Sequence, residues 1–388
     1  MKNSTPFYTI LMPCLNETET LAACIRKAKQ SLNDLDIQGE VLIADNGSTD
    51  GSQELARSLG ARVVDIPQKG YGWALRGGIE AAAGQFIIMA DSDDSYDFSK
   101  LRPFVEKLQG GYELVMGCRM PWGGGTVLPG AMPWKHFWIG NPALTFIGKM
   151  FFHSPCNDFH CGLRGFTKAA YLEMDLRTTG MELASEMVIK ATLQDMKITE
   201  VPITLHPDGR SRPPHLRSWR DGWRHLRFML LYSPDWLFLY PGISLVTAGV
   251  LVSAWLLQGP RECFGAVLDI HTLLIACVGV LIGYQTIAFA FFSKVFAMTE
   301  GLVPERKEFM RLFRFFSLET GLIAGFLMMV AGAGGVVYSF MIWEDQSFGA
   351  LDTPQTMRRV IPSVTFLALG VQTILASFFL SILGLKRS

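Results

Sequence analysis

QFIIMADSD, residues 85–93, runs from an unbroken apolar segment directly into two carboxylates, Asp91 and Asp93. A short apolar run that ends abruptly in polar residues reads as a strand buried in a parallel sheet. The carboxyl end of such a strand is where open α/β sheets bind their ligands. The same pattern flanks this stretch. FYTILMP (7–13) leads to Asn16 and Glu17, and EVLIADN (40–46) ends on Asp45 and Asn46. Helix-like stretches such as TETLAACIRKAKQSL (18–32) and GYGWALRGGIEAAAG (70–84) alternate with these runs. The alternation predicts an α/β domain with a mostly parallel, Rossmann-like sheet over residues 1–207.

Two carboxylates two residues apart at a strand end can hold one hard divalent cation, Mg2+ or Mn2+, whose remaining positions are filled by diphosphate oxygens. Such a cation neutralises charge on a departing nucleotide diphosphate. A solvated acidic loop is the plainer account, since Asp94 and Asp97 follow closely. The recurrence of acids at neighbouring strand ends favours the site. Asp45 opens the turn Asp45-Asn-Gly-Ser-Thr-Asp-Gly-Ser52 and can accept from a base or ribose, while Ser48 to Asp50 suit helix capping.

Beyond residue 235 the character of the chain changes. Charges become sparse and four apolar stretches appear, at about 236–257, 271–293, 320–342 and 361–384. Each is long enough to cross a hydrocarbon core of ~30 Å as a helix. Lys294, Arg306, Lys307, Arg311 and Arg314 lie between the second and third stretches, and Lys386 and Arg387 follow the fourth. The other two connections hold Arg261, and Arg358 with Arg359. That bias predicts a multi-pass membrane domain, 236–388, with both termini and the catalytic domain cytosolic, as in a bacterial plasma membrane. Residues 1–17 lack the long apolar core of a secretory signal.

Between the two parts, residues 208–235 interleave Arg210, Arg212, Arg217, Arg220, Arg224 and Arg227 with Trp219, Trp223 and Phe228. This suits an amphipathic helix in the headgroup layer, or a simple topology anchor. WKHFWIGNPALTFIGKMFF (134–152) reads as an interfacial element broken at Gly-Asn-Pro, or as an ordinary core helix. Equal numbers of acidic and basic residues, 35 each, argue against a nucleic-acid partner. Seven scattered cysteines without a CxxC pair fit reduced thiols and no structural metal.

In their order and spacing, Pro13-x-x-Asn16-Glu17, Asp45-Asn-Gly-Ser-Thr-Asp-Gly, Lys69-Gly-Tyr-Gly-Trp-Ala, Asp91-x-Asp93, Arg119 and Asp158-Phe-His-Cys-Gly-Leu-Arg164-Gly-Phe resemble family 2 glycosyltransferases of the GT-A fold. The resemblance is close to the dolichol-phosphate mannose synthase group and its bacterial polyprenyl-phosphate relatives. It implies a metal-dependent enzyme that moves a hexose from a UDP- or GDP-linked sugar to a polyisoprenyl phosphate at the membrane, with inversion; it allows a homo-oligomer. Pro13, Asn16, Glu17, Asp45, Lys69 and Asp91 would then bind the donor, and Asp91 and Asp93 the metal. Arg119, Arg164, Ser211 and Arg212 would meet the acceptor phosphate, with Asp91, Asp93 and Arg164 carrying catalysis. A structural ion pair between Arg164 and Asp158 is the competing account. The family's Gly-x-Ser-Lys stretch reads Gly209-Arg210-Ser211-Arg212 here, and Asp94-Ser95 stands where Leu-Gln is usual.

A phosphate monoester, with a second pKa of ~6, is already largely dianionic at neutral pH and needs no base. Glu182 and Glu186, four apart in MELASEM, are candidates for an ordering role or for a base. A processive polysaccharide synthase is the second enzyme reading, weakened by the absence of any Arg-Trp dipeptide. An inactive membrane-anchored nucleotide-sugar binder is the third.

Overall fold

The computed structural model describes residues 7–211, 218–301 and 317–384. The chain divides into two compact units, Met1–Met229 and Leu230–Ser388.

The first unit is built on a seven-stranded sheet of order β3-β2-β1-β4-β7-β5-β8. Its strands are β1 (Tyr8–Cys14), β2 (Gly39–Asp45), β3 (Arg62–Asp65), β4 (Phe86–Met89), β5 (Leu114–Cys118), β7 (Arg164–Thr167) and β8 (Ile198–Pro202). Two short strands, β6 (Thr126–Val127) and β9 (Thr204–Leu205), pair separately. All pairings in the main sheet are parallel except those of β7, which runs antiparallel to β4 and β5. All seven residues of β1 are buried, as expected for a central strand covered on both faces.

The helices follow the predicted alternation. α1 (Thr18–Asp34), α2 (Ser52–Ser58), α3 (Tyr71–Ala81) and α4 (Arg102–Gln109) each connect consecutive parallel strands. On α1 the residues Leu21, Cys24, Ile25, Ala28 and Leu32 form a buried stripe at three- and four-residue spacing. Full burial of each such large aliphatic side chain stabilises the fold by about 1.5–3 kcal/mol. α5 (Asn141–Phe152), α6 (Lys168–Met174), α7 (Leu183–Leu193) and α8 (Ser218–Leu231) complete the unit.

The predicted break at Gly-Asn-Pro is not observed. A π-helical turn, His136–Gly140, runs continuously into α5. Pro142 follows the π-helical turn directly, so its missing N–H falls where the main-chain hydrogen-bond ladder is already irregular. This element exposes Trp134, Trp138, Ile139 and Phe146 while burying Thr145, Gly148 and Phe152. α8 is likewise two-faced. His225, Phe228 and Met229 are buried, whereas Trp219, Arg220, Trp223, Arg224 and Arg227 are exposed.

Among its described residues the second unit has four helices long and apolar enough to span a membrane, over Asp235–Leu256, Ile270–Thr299, Leu318–Asp345 and Thr353–Leu383. The first comprises a π-helical turn, Asp235–Leu239, and α9 (Tyr240–Leu256); the others are α10 (Ile270–Thr299), α11 (Leu318–Asp345) and α12 (Thr353–Leu383). A hairpin of β10 (Arg261–Cys263) and β11 (Ala266–Leu268) joins α9 to α10. Small residues set the helix spacing. A Cβ on Gly332 of α11 would stand 2.5 Å from the Leu367 nitrogen of α12, a contact only glycine permits. α10 extends past the predicted end of its span, so Lys294 lies within the helix and pairs with Asp235 at 2.6 Å. Arg358 pairs with Asp269 and donates to the Leu256 carbonyl at 3.3 Å. All seven cysteines are free thiols.

Candidate active site

The parallel register places the ends of β1, β2 and β4 side by side, with Cys14 opposite Asp45. Three loops leave this edge, and polar side chains lock them together. The Ser92 hydroxyl donates to the Pro13 carbonyl at 2.7 Å, and Thr20 Oγ1 donates to the Ser92 carbonyl at 2.7 Å. Asn16 adopts φ 59°, a left-handed conformation that asparagine tolerates. Its Oδ1 accepts from Thr49 N at 2.7 Å, and its own N–H donates to Ser48 Oγ at 2.9 Å. Pro13 is buried within β1 and shapes the edge from inside the strand. Lys69 donates to the Asn46 carbonyl at 2.6 Å and so closes the outer side.

Asp45 is 1% exposed. Its Oδ2 accepts from Gly47 N, Ser48 N and Gln53 Nε2 at 2.8–3.0 Å. Its Oδ1 is buried and has no hydrogen-bond partner among the described residues. A buried carboxylate oxygen left unpaired is costly, and a ligand hydroxyl or base N–H would satisfy it.

Asp91 and Asp93 stand two residues apart just beyond β4. Burial, and then the neighbouring Asp93 carboxylate, push the Asp91 carboxyl up to about 6. Tyr71, at the start of α3, donates its hydroxyl to Asp91 Oδ1 at 3.0 Å. Burial and the Asp91 charge hold the Tyr71 phenol well above its ordinary value, so it remains a donor. Asp93 Oδ1 accepts from Ser95 N and Oγ, and Asp93 Oδ2 accepts from Arg210 Nη2 at 2.7 Å. Two crowded, partly desolvated carboxylates form a donor set suited to a hard divalent cation. No cluster of three or more His, Cys, Asp or Glu residues fit to hold a metal occurs among the described residues. Ligand oxygens would therefore have to complete such a shell.

The turn after Cys161 presses against Asp91. A Cβ on Gly162 would lie 2.9 Å from Asp91 Oδ2 and 3.0 Å from Tyr96 OH, and Tyr96 is fixed by accepting from Gly162 N at 2.8 Å. Gly162→Ala is expected to displace Asp91 and weaken Mn2+-dependent nucleoside diphosphate binding about tenfold. Unchanged binding by titration calorimetry would show that this turn does not set the Asp91 position.

The predicted phosphate-binding arginines are placed differently. Arg119 and Asp158 form a buried bidentate pair, Nε to Oδ2 at 2.7 Å and Nη2 to Oδ1 at 2.8 Å, with the Arg119 N–H also donating to Oδ2. Arg164 is 0% exposed and donates to the carbonyls of Cys161, Phe159 and Ala184. The expected Arg164–Asp158 pair is replaced among the described residues by the Arg119–Asp158 pair. Arg164 is spent on main-chain carbonyls because its strand, β7, is inserted deep between β4 and β5. Ser211 donates from N and Oγ to Glu19 at 2.7 and 2.6 Å, and Arg212 lies outside the described residues.

Glu186 is fully buried and accepts from Arg177 N, Thr178 N and Thr178 Oγ1 while pairing with Lys190 at 2.9 Å. These bonds tie Glu186 to the loop before α7. Glu182 has one buried oxygen without a hydrogen-bond partner among the described residues. Sequence reasoning missed Tyr71 and Arg210 as site residues. Tyr71 was signalled by its place in Lys69-Gly-Tyr-Gly-Trp, and Arg210 by the basic Gly-x-Ser stretch.

Residues 9–173 match the family described as Glycosyl transferase family 2, and residues 291–384 match the Glycosyltransferase family 2 C-terminal transmembrane region. The chain is similar to the low-salt glycan biosynthesis hexosyltransferase Agl6 of Haloferax volcanii, with 38% identity over 384 residues, 98% of this chain and 89% of that protein. It is also similar to a dolichyl-phosphate hexose transferase of Haloferax volcanii, with 27% identity over 194 residues, 50% of this chain and 80% of that protein. Among solved structures, glucosyl-3-phosphoglycerate synthase from Mycobacterium tuberculosis with Mn2+, UDP and glucosyl-3-phosphoglycerate is 20% identical, covering 60% of this chain and 81% of that one at a TM-score of 0.46.

Proposed function

The chain belongs to glycosyltransferase family 2, and from that premise we propose that it transfers a hexose from a UDP- or GDP-linked sugar to a polyisoprenyl phosphate, inverting the anomeric centre. The observation that carries the proposal is the sheet edge that bears Asp45, Asp91 and Asp93, with an unsatisfied buried carboxylate oxygen at the end of β2 and two crowded acids beyond β4. Asp45 Oδ1 would accept from the nucleoside. Asp91 and Asp93 would hold Mg2+ or Mn2+ against the diphosphate, and the cation, when bound, supplies a Lewis acid for the departing nucleotide. Tyr71 keeps the Asp91 carboxylate oriented throughout.

The acceptor is inferred from chemistry and from kinship. A phosphate monoester is anionic at neutral pH and attacks without a protein base. That suits a chain whose Glu186 is committed to its own loop. The names of Agl6 and of the dolichyl-phosphate hexose transferase support a hexose as the sugar and a polyprenyl phosphate as the acceptor. Trp219, Trp223 and the arginines on the outer face of α8 suit the headgroup layer of an anionic membrane. The excess of Lys and Arg between the second and third spans orients the catalytic unit to the cytosol.

A panel of UDP- and GDP-hexoses offered with dolichyl and undecaprenyl phosphate, scored by mass spectrometry of the lipid extract, tests the proposal. One donor is expected to yield a prenyl-phosphate hexose. Nucleotide-sugar consumption with product only on a polysaccharide would favour a polymerising synthase instead.

A further inference from the structure

Residues 206–211 form a strap across the acidic edge. His206 N donates to the Ser95 carbonyl at 3.0 Å and Gly209 N to the Asp93 carbonyl at 3.0 Å, while Ser211 is fixed to Glu19. Between these anchors Arg210 reaches inward. Its guanidinium donates to Asp93 Oδ2 at 2.7 Å, to Glu17 Oε1 at 3.2 Å and to Asp208 Oδ2 at 3.0 Å. The Arg210, Glu17 and Asp93 side chains are only 12%, 7% and 11% exposed, so this is a largely desolvated cation among carboxylates and not a surface pair.

Asp93 then poses a problem for the cation that the donor site requires. Its Oδ1 is engaged by Ser95 N and Oγ, and its Oδ2 by Arg210. A divalent ion at Asp93 Oδ2 would stand beside the Arg210 guanidinium, 2.7 Å from that oxygen, and the two cations repel, so loading favours movement of Arg210 away from Asp93. A diphosphate entering with the ion offers the guanidinium a new anionic partner of bidentate geometry. We infer that Arg210 is a tethered counter-cation, offsetting part of the Asp93 and Glu17 charge before loading and passing to the donor diphosphate as the metal arrives. The inference rests on the donor-site reading proposed above. It makes Arg210 a donor-binding residue and gives the strap a function in ordered loading of metal and nucleotide.

Two opposite shifts are expected for Arg210→Gln in the full chain. Mn2+ alone, followed by electron paramagnetic resonance of the free ion, should bind about tenfold more tightly, because a competing cation no longer faces Asp93. UDP or GDP in EDTA, followed by calorimetry, should bind about tenfold more weakly, because the cation is gone. Arg210→Lys keeps the charge but loses the fork, and should tighten Mn2+ to a smaller extent; it serves if the glutamine variant does not fold. A purely structural Arg210 would weaken both affinities together. That result, or an unchanged Mn2+ affinity in either variant, would overturn the inference. Failure of the unaltered protein to bind UDP or GDP with or without Mn2+ would overturn the donor-site reading as well.

Discussion

Replacing Asp91 and Asp93 together by asparagine is expected to lower sugar transfer to prenyl phosphate by about a thousandfold, through loss of the charge that holds the cation on the leaving diphosphate. Asparagine keeps shape and an acceptor oxygen, so Tyr71 can still donate at position 91 and Ser95 at position 93. The lesion is therefore electrostatic. Stability should move the other way for Asp91→Asn alone. Burial and Asp93 raise the Asp91 carboxyl from 3.8 to about 6, so the protonated form is favoured by the fold. That contribution is fully present below about pH 4 and is lost as pH rises through about 6. An uncharged amide does not lose it. The metal-free variant should melt higher than the parent at pH 7 and show no advantage near pH 4, measured by thermal unfolding of the detergent-solubilised chain. Transfer within tenfold of the parent in the double variant would sink the assignment of the metal site.

The acids and the arginines differed in how far sequence alone could place them. Asp45, Asp91 and Asp93 were legible because each follows an apolar run, and a parallel sheet brings all such ends to one edge whatever the details of packing. Four spans were legible for an equally general reason: length and lack of charge suffice. The arginines are placed by specific distant partners. Arg119 finds Asp158 across 39 residues, and Arg210 finds Glu17 across 193. Which carboxylate meets which guanidinium depends on the antiparallel insertion of β7 and on the course of the strap. Local pattern encodes neither. The π-helical turn before α5 escaped for a smaller reason, since Gly-Asn-Pro signals a break, whereas a π-helical turn can accommodate the proline within a continuous helix.

The second large effect concerns Arg119 and Asp158. If Arg119 were a phosphate ligand, as the family resemblance implies, its loss would raise KM for the lipid phosphate and leave the fold intact. The structure favours a different outcome. Asp158 is fully buried and receives three N–H groups from Arg119, and its own N–H and that of Asn157 donate to Glu200 Oε1 at 3.0 and 2.6 Å. Removing one partner leaves the other charged and buried. Asp158→Ala should therefore cost about 3–5 kcal/mol, which lowers the melting temperature of a unit this size by roughly 10 °C or more. Arg119→Met should fall in the same range, since Asp158 would lose its only ion-pair partner among the described residues. Replacing both at once by apolar residues, Arg119→Met with Asp158→Leu, should recover part of the loss, because no unpaired charge remains. Recovery in the double variant is the signature of an ion pair that holds the loop before β7. A phosphate ligand gives no such coupling: melting would stay within about 2 °C of the parent in every variant, and only the lipid KM would respond.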